Sequence, residues 1–256
     1  MIGAIIGDVI GSRFERTGKK TKDFELFTDE SKFTDDTVLT VAVADCILNS
    51  KDFAETLRKY GKAYPLAGYG SSFKKWLAGI TKGPYRSWGN GSAMRVSPVG
   101  FLCKDRKTVL DLAEKSAAVT HNHEDGIKGA QAIALSVFLA RNGTSKEVIK
   151  SNIIEEFGYN LNRTLDEIRP TYEFDVSCQG SVPEAIIAFL ESENFEDAIR
   201  NGISIGGDSD TIACMAGSIA SAFYKEIPEQ MIVETKKRLP EEFIEIIDLF
   251  EREYAT

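Results

Sequence analysis

The 256 residues carry 39 acidic and 31 basic side chains, giving a formal net charge of −8 with 43% hydrophobic and 27% charged residues. That balance belongs to a folded globular chain long enough to bury a sizeable core, expected here as one domain over 1–256. The negative excess excludes non-specific attraction to nucleic acid or to an anionic membrane as a property of the whole surface, so any polyanion must be met by a local site.

The first ten residues, Met1 to Ile10, are apolar apart from Asp8 and lack a basic leader, so they read as a first core helix rather than a signal peptide. Val38, Leu39, Ala42, Val43, Cys46 and Ile47 recur at helical spacing, as do Ile127, Ala130, Ile133, Ala134, Val137 and Phe138. Between them lie two loops rich in Gly, Ser and Asn, Gly68-Tyr69-Gly70-Ser71-Ser72 and Tyr85-Arg86-Ser87-Trp88-Gly89-Asn90-Gly91-Ser92. Such loops are either ordinary turns or a binding rim in which glycine lets backbone amides approach a ligand. Tyr172 to Val176 is the one extended candidate. Amphipathic helices follow over Val182 to Leu190, Phe195 to Asn201, Thr211 to Phe223 and Glu241 to Arg252, and the fold class is all-α. No run reaches the roughly 18 apolar residues of a membrane span. Cys46, Cys103, Cys178 and Cys214 are far apart with no CxxC pair, which argues against zinc and disulfides and for a reducing, cytoplasmic setting.

Two segments share a design. Thr34-Asp35-Asp36-Thr37 opens into Val38-Leu39, and Asp208-Ser209-Asp210-Thr211 opens into Ile212-Ala213. Asp and Thr at a helix start are what ordinary capping requires, and one such cluster carries no functional meaning. Two, each with more carboxylates than a cap uses, raise a second reading. Brought within about 5 Å at an effective dielectric near 20, each Asp pair repels by roughly 3 kcal/mol, a cost that divalent cations would offset. An all-oxygen donor set selects Mg²⁺ or Mn²⁺ over zinc. Glu15 is either a general base or metal ligand, or a solvated surface residue. His121 and His123 flank Asn122 among polar residues, where capping or anion contact fits better than metal ligation. A P-loop, a GxSxG elbow and a strand-led GxGxxG are all missing, which disfavours nucleotide triphosphatases, serine hydrolases and Rossmann enzymes.

The ordered set Gly7-Asp8-x-x-Gly11 with Glu15, Thr34-Asp35-Asp36-Thr37, Gly89-Asn90-Gly91-Ser92-Ala93-Met94-Arg95, Thr120-His121, Ser181-Val182-Pro183 and Gly206-Gly207-Asp208-Ser209-Asp210-Thr211 resembles the ADP-ribosylglycohydrolases, the group that includes dinitrogenase reductase-activating glycohydrolase. The resemblance implies a compact, orthogonal multi-helix fold and two Mg²⁺ or Mn²⁺ ions. It implies that Thr34, Asp35, Asp36, Asp208, Asp210 and Thr211 are the metal ligands, with Glu15 as first choice for catalytic base and Asp36 as second. It further implies that Gly68, Tyr69, Gly70 and Ser71 form a phosphate loop. Gly89, Asn90, Gly91, Ser92, Met94 and Arg95 would shape the distal ribose and phosphate pocket, Met94 and Arg95 in part as structural support. His121 would contact the diphosphate and Trp88 the adenine side. The expected reaction is hydrolysis at C1 of the distal ribose of an ADP-ribosylated protein or other ADP-ribosyl substrate, releasing ADP-ribose, by a monomer. The competing readings are a non-catalytic ADP-ribose-binding protein on the same fold and a dinuclear-metal phosphohydrolase. Arginine, serine, a nucleobase and a small metabolite all remain open as the acceptor. The chain is short for the family, and acceptor preference is expected in the segments from about Lys20 to Lys32 and Arg163 to Gln179.

Overall fold

A computed structural model describes residues 1–254, and among them there are helices and no strand. In chain order these are α1 (Ile2–Gly11), α2 (Asp35–Leu48), α3 (Phe53–Ala63), α4 (Ser71–Leu77), α5 (Gly91–Met94), α6 (Ser97–Leu102), α7 (Arg106–Ala118) and α8 (Glu124–Arg141). They continue with α9 (Lys146–Phe157), α10 (Leu165–Ile168), α11 (Cys178–Leu190), α12 (Phe195–Ile205), α13 (Ser209–Tyr224), α14 (Glu229–Lys236) and α15 (Glu241–Tyr254). The starts follow from local chemistry. Asp52, Asp105, Ser145 and Asn194 each accept a backbone N–H of the first turn of α3, α7, α9 and α12, and Thr164 with Glu167 forms a reciprocal capping box on α10. His123 caps α8 by accepting from the Asp125 amide.

The extended segment expected over Tyr172 to Val176 does not form a strand. Its neighbourhood offers only a single antiparallel bridge, Gly89 with Ser177, supported by Asn90 N–H to Val176 O at 2.8 Å and Cys178 N–H to Trp88 O at 3.0 Å. With every surrounding element helical, no second extended segment continues the ladder. The Tyr172 hydroxyl instead donates to Gly180 O at the start of α11.

At the centre lies α13, buried along nearly its whole length, with α1, α8, α11 and α12 around it. All ten residues of α1 are buried. The two helices approach through small residues: a Cβ added at Gly3 would fall 2.5 Å from Gly217 O, at Gly7 2.2 Å from Ala213 O, and at Gly11 2.5 Å from Asp210 Cα. These distances are shorter than any side-chain contact tolerates, so the helices meet backbone to backbone at this seam. One connected cluster of buried apolar side chains runs from Met1 and Ile5 through Val41, Ile133 and Ile186 to Phe243 and Phe250. All four cysteines are free and buried. Among the described residues no helix is long and apolar enough to cross a membrane.

Candidate active site

Because the glycine seam brings α1 against α13, Asp8 faces Asp210 across it, and the start of α2 closes the third side. Ligand oxygens of Asp8, Asp36 and Asp210 lie within 4.8 Å of one another, all buried. Asp8 is held by α2: the Thr34 amide donates to Oδ2 at 2.9 Å, the Thr34 hydroxyl to Oδ1 at 2.7 Å, and the Thr37 amide to Oδ2 at 3.1 Å, with the Thr37 hydroxyl adding a fourth bond. The α2 cap is therefore made by Thr34, whose oxygen also accepts from the Asp36 amide at 3.3 Å. That leaves the Asp36 carboxylate free to point inward. Its Oδ2 accepts from the Thr211 hydroxyl at 3.2 Å, and its buried Oδ1 has no partner.

On α13 the capping position belongs to Asp208, yet its side chain caps nothing. One of its oxygens instead accepts from Asn90 Nδ2 at 2.7 Å, which ties the second Gly-rich loop to the carboxylates. Asp35 lies at the other edge: its amide donates to Ala67 O at 2.8 Å, and its Oδ1 lies so close to Gly68 that a Cβ there would meet it at 2.9 Å. Gly68 also has φ +115°, a conformation open to glycine.

No lysine or arginine among the described residues lies within 4.0 Å of these five aspartates. Their carboxyls are accordingly displaced. Burial, then the charge of Asp8, pushes Asp35 up to about 8. Burial, opposed by the Asn90 hydrogen bond and reinforced by Glu15, holds Asp208 at about 6. Asp36 and Asp210 are raised well above the usual carboxylate range by burial and by their neighbours Asp8 and Asp208. Asp8 is raised by burial although four hydrogen bonds work against it. A buried all-oxygen cluster without a counter-charge, containing one orphaned carboxylate oxygen, has the donor chemistry of a hard divalent cation site. The residues fit such an ion.

Over residues 1–256 the sequence matches the family model described as ADP-ribosylglycohydrolase. The chain belongs to the ADP-ribosylglycohydrolase family. Among its relatives, ADP-ribosylhydrolase ARH3 of Danio rerio is 27% identical over 300 residues, covering 88% of this chain and 81% of the relative. ARH3 of Homo sapiens is 28% identical with 90% and 86% covered, and ADP-ribosylarginine hydrolase Tri1 of Pseudomonas putida (strain GB-1) is 25% identical with 88% and 69% covered. A solved structure described as an ADP-ribosylglycohydrolase-related protein complex superposes with a TM-score of 0.69 at 21% identity, covering 93% of this chain and 96% of its own, and so shares the fold.

Within this ADP-ribosylglycohydrolase, Asp36 and Asp210 of the six expected ligands lie in the tight group with Asp8, while Asp35 stands beside Gly68 and Asp208 beside Asn90. The Thr211 hydroxyl donates to Asp36 Oδ2 at 3.2 Å, and the Thr34 oxygen, whose hydrogen goes to Asp8, lies 3.4 Å from the same atom. Glu15 stands on the turn after α1, with its side chain 38% exposed and its only ion pair to Arg16 at 3.1 Å. Its charge adds to the rise of Asp35, Asp208 and Asp210. Tyr69 is buried with an unpartnered hydroxyl beside Asp35, whereas Gly70 and Ser71 are exposed. Trp88 is 50% exposed at the rim.

Behind the rim the second loop is anchored. Ser92 donates to Gly126 O at 2.6 Å, Met94 is buried in the core, and wholly buried Arg95 donates to Ser116 O at 3.0 Å and Thr120 Oγ1 at 2.9 Å. These three face protein, whereas Asn90 reaches Asp208 and Gly91 lies against His121. His121 shares a hydrogen with Thr120 Oγ1 at 2.7 Å and stays neutral, its pKa lowered well below the usual value by burial and by Arg95. Its Nε2 would lie 3.2 Å from a Cβ at Gly91.

Sequence reasoning assigned no part to Asp8 in the carboxylate cluster and none to Thr37. The signal for Asp8 was present, since it is the one charged residue in an otherwise apolar, wholly buried ten-residue helix.

Proposed function

We propose that this protein is a divalent-metal-dependent glycohydrolase that cleaves the bond at C1 of the distal ribose of an ADP-ribosylated substrate and releases ADP-ribose. The observation that carries the reading is the orphaned Asp36 Oδ1 inside a buried carboxylate group whose ligand atoms span no more than 4.8 Å. A capping carboxylate accepts first-turn amides, whereas the α2 cap is made by Thr34 and Asp36 Oδ1 accepts from no group of the protein. Family membership and the ADP-ribosyl hydrolases among the relatives support the choice of substrate.

Asp35, Asp36, Asp208 and Asp210, with the hydroxyls of Thr34 and Thr211, would hold two Mg²⁺ or Mn²⁺ ions, and Asp8 would lock the Thr34 side. Bound there, the ions would supply Lewis acidity and an anchor for the ribose hydroxyls. The Gly68 to Ser71 loop, open at Gly70, and the Gly91 amide would receive the diphosphate, with neutral His121 alongside, and Tyr69 and Trp88 would bound the ligand. This explains how a chain with net charge −8 accepts an anion. Glu15, on the exposed turn after α1, takes the proton of the attacking water as the water oxygen bonds to C1. The C1–acceptor bond breaks, and the proton returns to the acceptor atom. The surrounding carboxylates stabilise the positive charge that develops on the ribose ring.

The test is release of ADP-ribose from arginine-linked and serine-linked peptides with Mg²⁺, with Mn²⁺ and with EDTA, using Glu15→Ala as control. Metal-dependent release that Glu15→Ala abolishes is the expected result. Release unaffected by EDTA would overturn the metal reading, and tight ADP-ribose binding without release from any linkage would make the protein a binder.

A further inference from the structure

The acidic balance of the chain is not evenly spread. From Thr56 to Cys103 there are eight basic residues and no acidic one, in a sequence with an excess of eight acids. Arg58 and Lys62 share a face of α3, Lys74 and Lys75 lie on the exposed side of α4, and Lys82 and Arg86 follow in the loop. None of the six pairs with a carboxylate within 4.0 Å among the described residues, whereas Lys22, Lys51, Lys107 and Lys236 do. Arg58 joins the pieces: its guanidinium lies 4.0 Å from the centre of the Trp76 ring of α4 and donates to Lys82 O at 3.0 Å. The cations of α3, α4 and the loop therefore form one surface.

That surface adjoins the carboxylate site at both ends. Its chain leaves Asp35 through the hydrogen bond to Ala67 O and returns to Asp208 through Asn90. The backbone between is open, because a Cβ at Gly70, Gly79 or Gly83 would meet nothing within 4 Å. Four of the six cations are lysines. Lysine meets phosphate as a compact point charge and arginine meets it with a planar fork, so both residue types on this surface suit a run of phosphates. Six cations without a carboxylate partner, five of them exposed, beside open glycine-rich backbone make a surface for a chain that carries a charge at every repeat, as a phosphate chain does and an acidic peptide does not.

We propose that this surface docks a single-stranded nucleic acid, and that it does so to present a nucleotide of that strand to the carboxylate site as the acceptor of the ADP-ribosyl group. The presentation rests on the glycohydrolase reading; the docking does not. The negative remainder of the chain repels nucleic acid elsewhere and confines it to this face.

The experiment is fluorescence anisotropy of a labelled single strand of about 20 nucleotides, titrated with the full chain. If the strand engages about four phosphates, affinity falls about 50-fold as salt rises from about 50 to about 200 mM. The combined variant Lys74→Glu, Lys75→Glu, Lys82→Glu weakens binding at least about tenfold while its circular dichroism and its affinity for free ADP-ribose stay unchanged. No binding at low salt, or equal binding by the variant, overturns the proposal. An acidic peptide of matched charge that displaces the strand also overturns it and assigns the surface to an acidic protein. In a parallel assay, release of ADP-ribose from a modified strand with selective loss in the variant supports presentation. Docking that persists when no substrate of any kind is turned over refutes the glycohydrolase reading and leaves the docking intact.

Discussion

Replacing Asp208 by Asn should stabilise the metal-free protein. Asp208 is 7% exposed, its carboxyl is held at about 6 by burial first, and it makes no cap on α13. Unfolded, the same carboxyl titrates near 3.8. A native pKa above the unfolded one means that the native state holds the extra proton between those values, so stability falls as pH rises from about 4 to about 6 and stays lowered beyond. A displacement of about two units corresponds to about 3 kcal/mol at pH 8. Asparagine removes that charge and keeps an oxygen for the Asn90 amide. In EDTA at pH 8, Asp208→Asn should therefore resist urea by about 3 kcal/mol more than wild type, with the difference shrinking as pH falls and vanishing only well below about 4, where the carboxyl is protonated in the unfolded chain as well. Adding Mg²⁺ or Mn²⁺ should close the gap by stabilising wild type more than the variant. A variant destabilised by more than about 1 kcal/mol at pH 8 in EDTA would refute the reasoning and return Asp208 to an ordinary capping role.

Glu15→Gln should lower kcat by about two to four orders of magnitude while changing stability by no more than about 0.5 kcal/mol, since the side chain is partly exposed and paired only with Arg16; ADP-ribose release and thermal melting read the two effects separately. Tyr69→Phe removes a buried hydroxyl with no protein partner, so the melting temperature should hold or rise by the equivalent of about 1 kcal/mol while ADP-ribose affinity measured by calorimetry falls. Gly7→Ala should cost about 3 kcal/mol or more in urea unfolding, because its Cβ would strike Ala213 O at 2.2 Å, whereas Gly70→Ala, with nothing within 4 Å, should stay within about 1 kcal/mol of wild type. Metal binding at pH 7 should release protons, because Asp35 sits at about 8; calorimetry in buffers of different ionisation enthalpy measures this, and a buffer-independent heat would contradict the charge assignment.

The helices that were legible are those whose apolar residues recur with the helical period: Val38 to Ile47, Ile127 to Phe138 and Thr211 to Phe223 all fall inside α2, α8 and α13. Tyr172 to Val176 misled because alternation along five residues says nothing about whether a partner strand exists, and here the neighbours are helical. The two Asp-rich helix starts could be read as a pair because each holds more carboxylates than a cap uses. Asp8 could not be placed among them from spacing alone, since its position depends on the depth to which α1 sinks against α13. That depth is set by Gly3, Gly7 and Gly11, whose meaning appears only with the backbone they touch. The unpaired basic stretch was hidden for another reason: a net charge of −8 is a sum, and the sum conceals where the signs lie.

The seam between α1 and α13 also fixes the spacing of the carboxylates by main-chain contact, with no side-chain length in between. Asp8 and Asp210 are carried on two rods touching along Gly3, Gly7 and Gly11, so the seam sets the distance between their backbones, and Thr34 and Thr37 of α2 set where the Asp8 carboxylate points. A side chain added to the seam forces the rods apart and widens the gap between the two acids in the same movement, so loss of fold and loss of cation affinity would arrive together at these three positions.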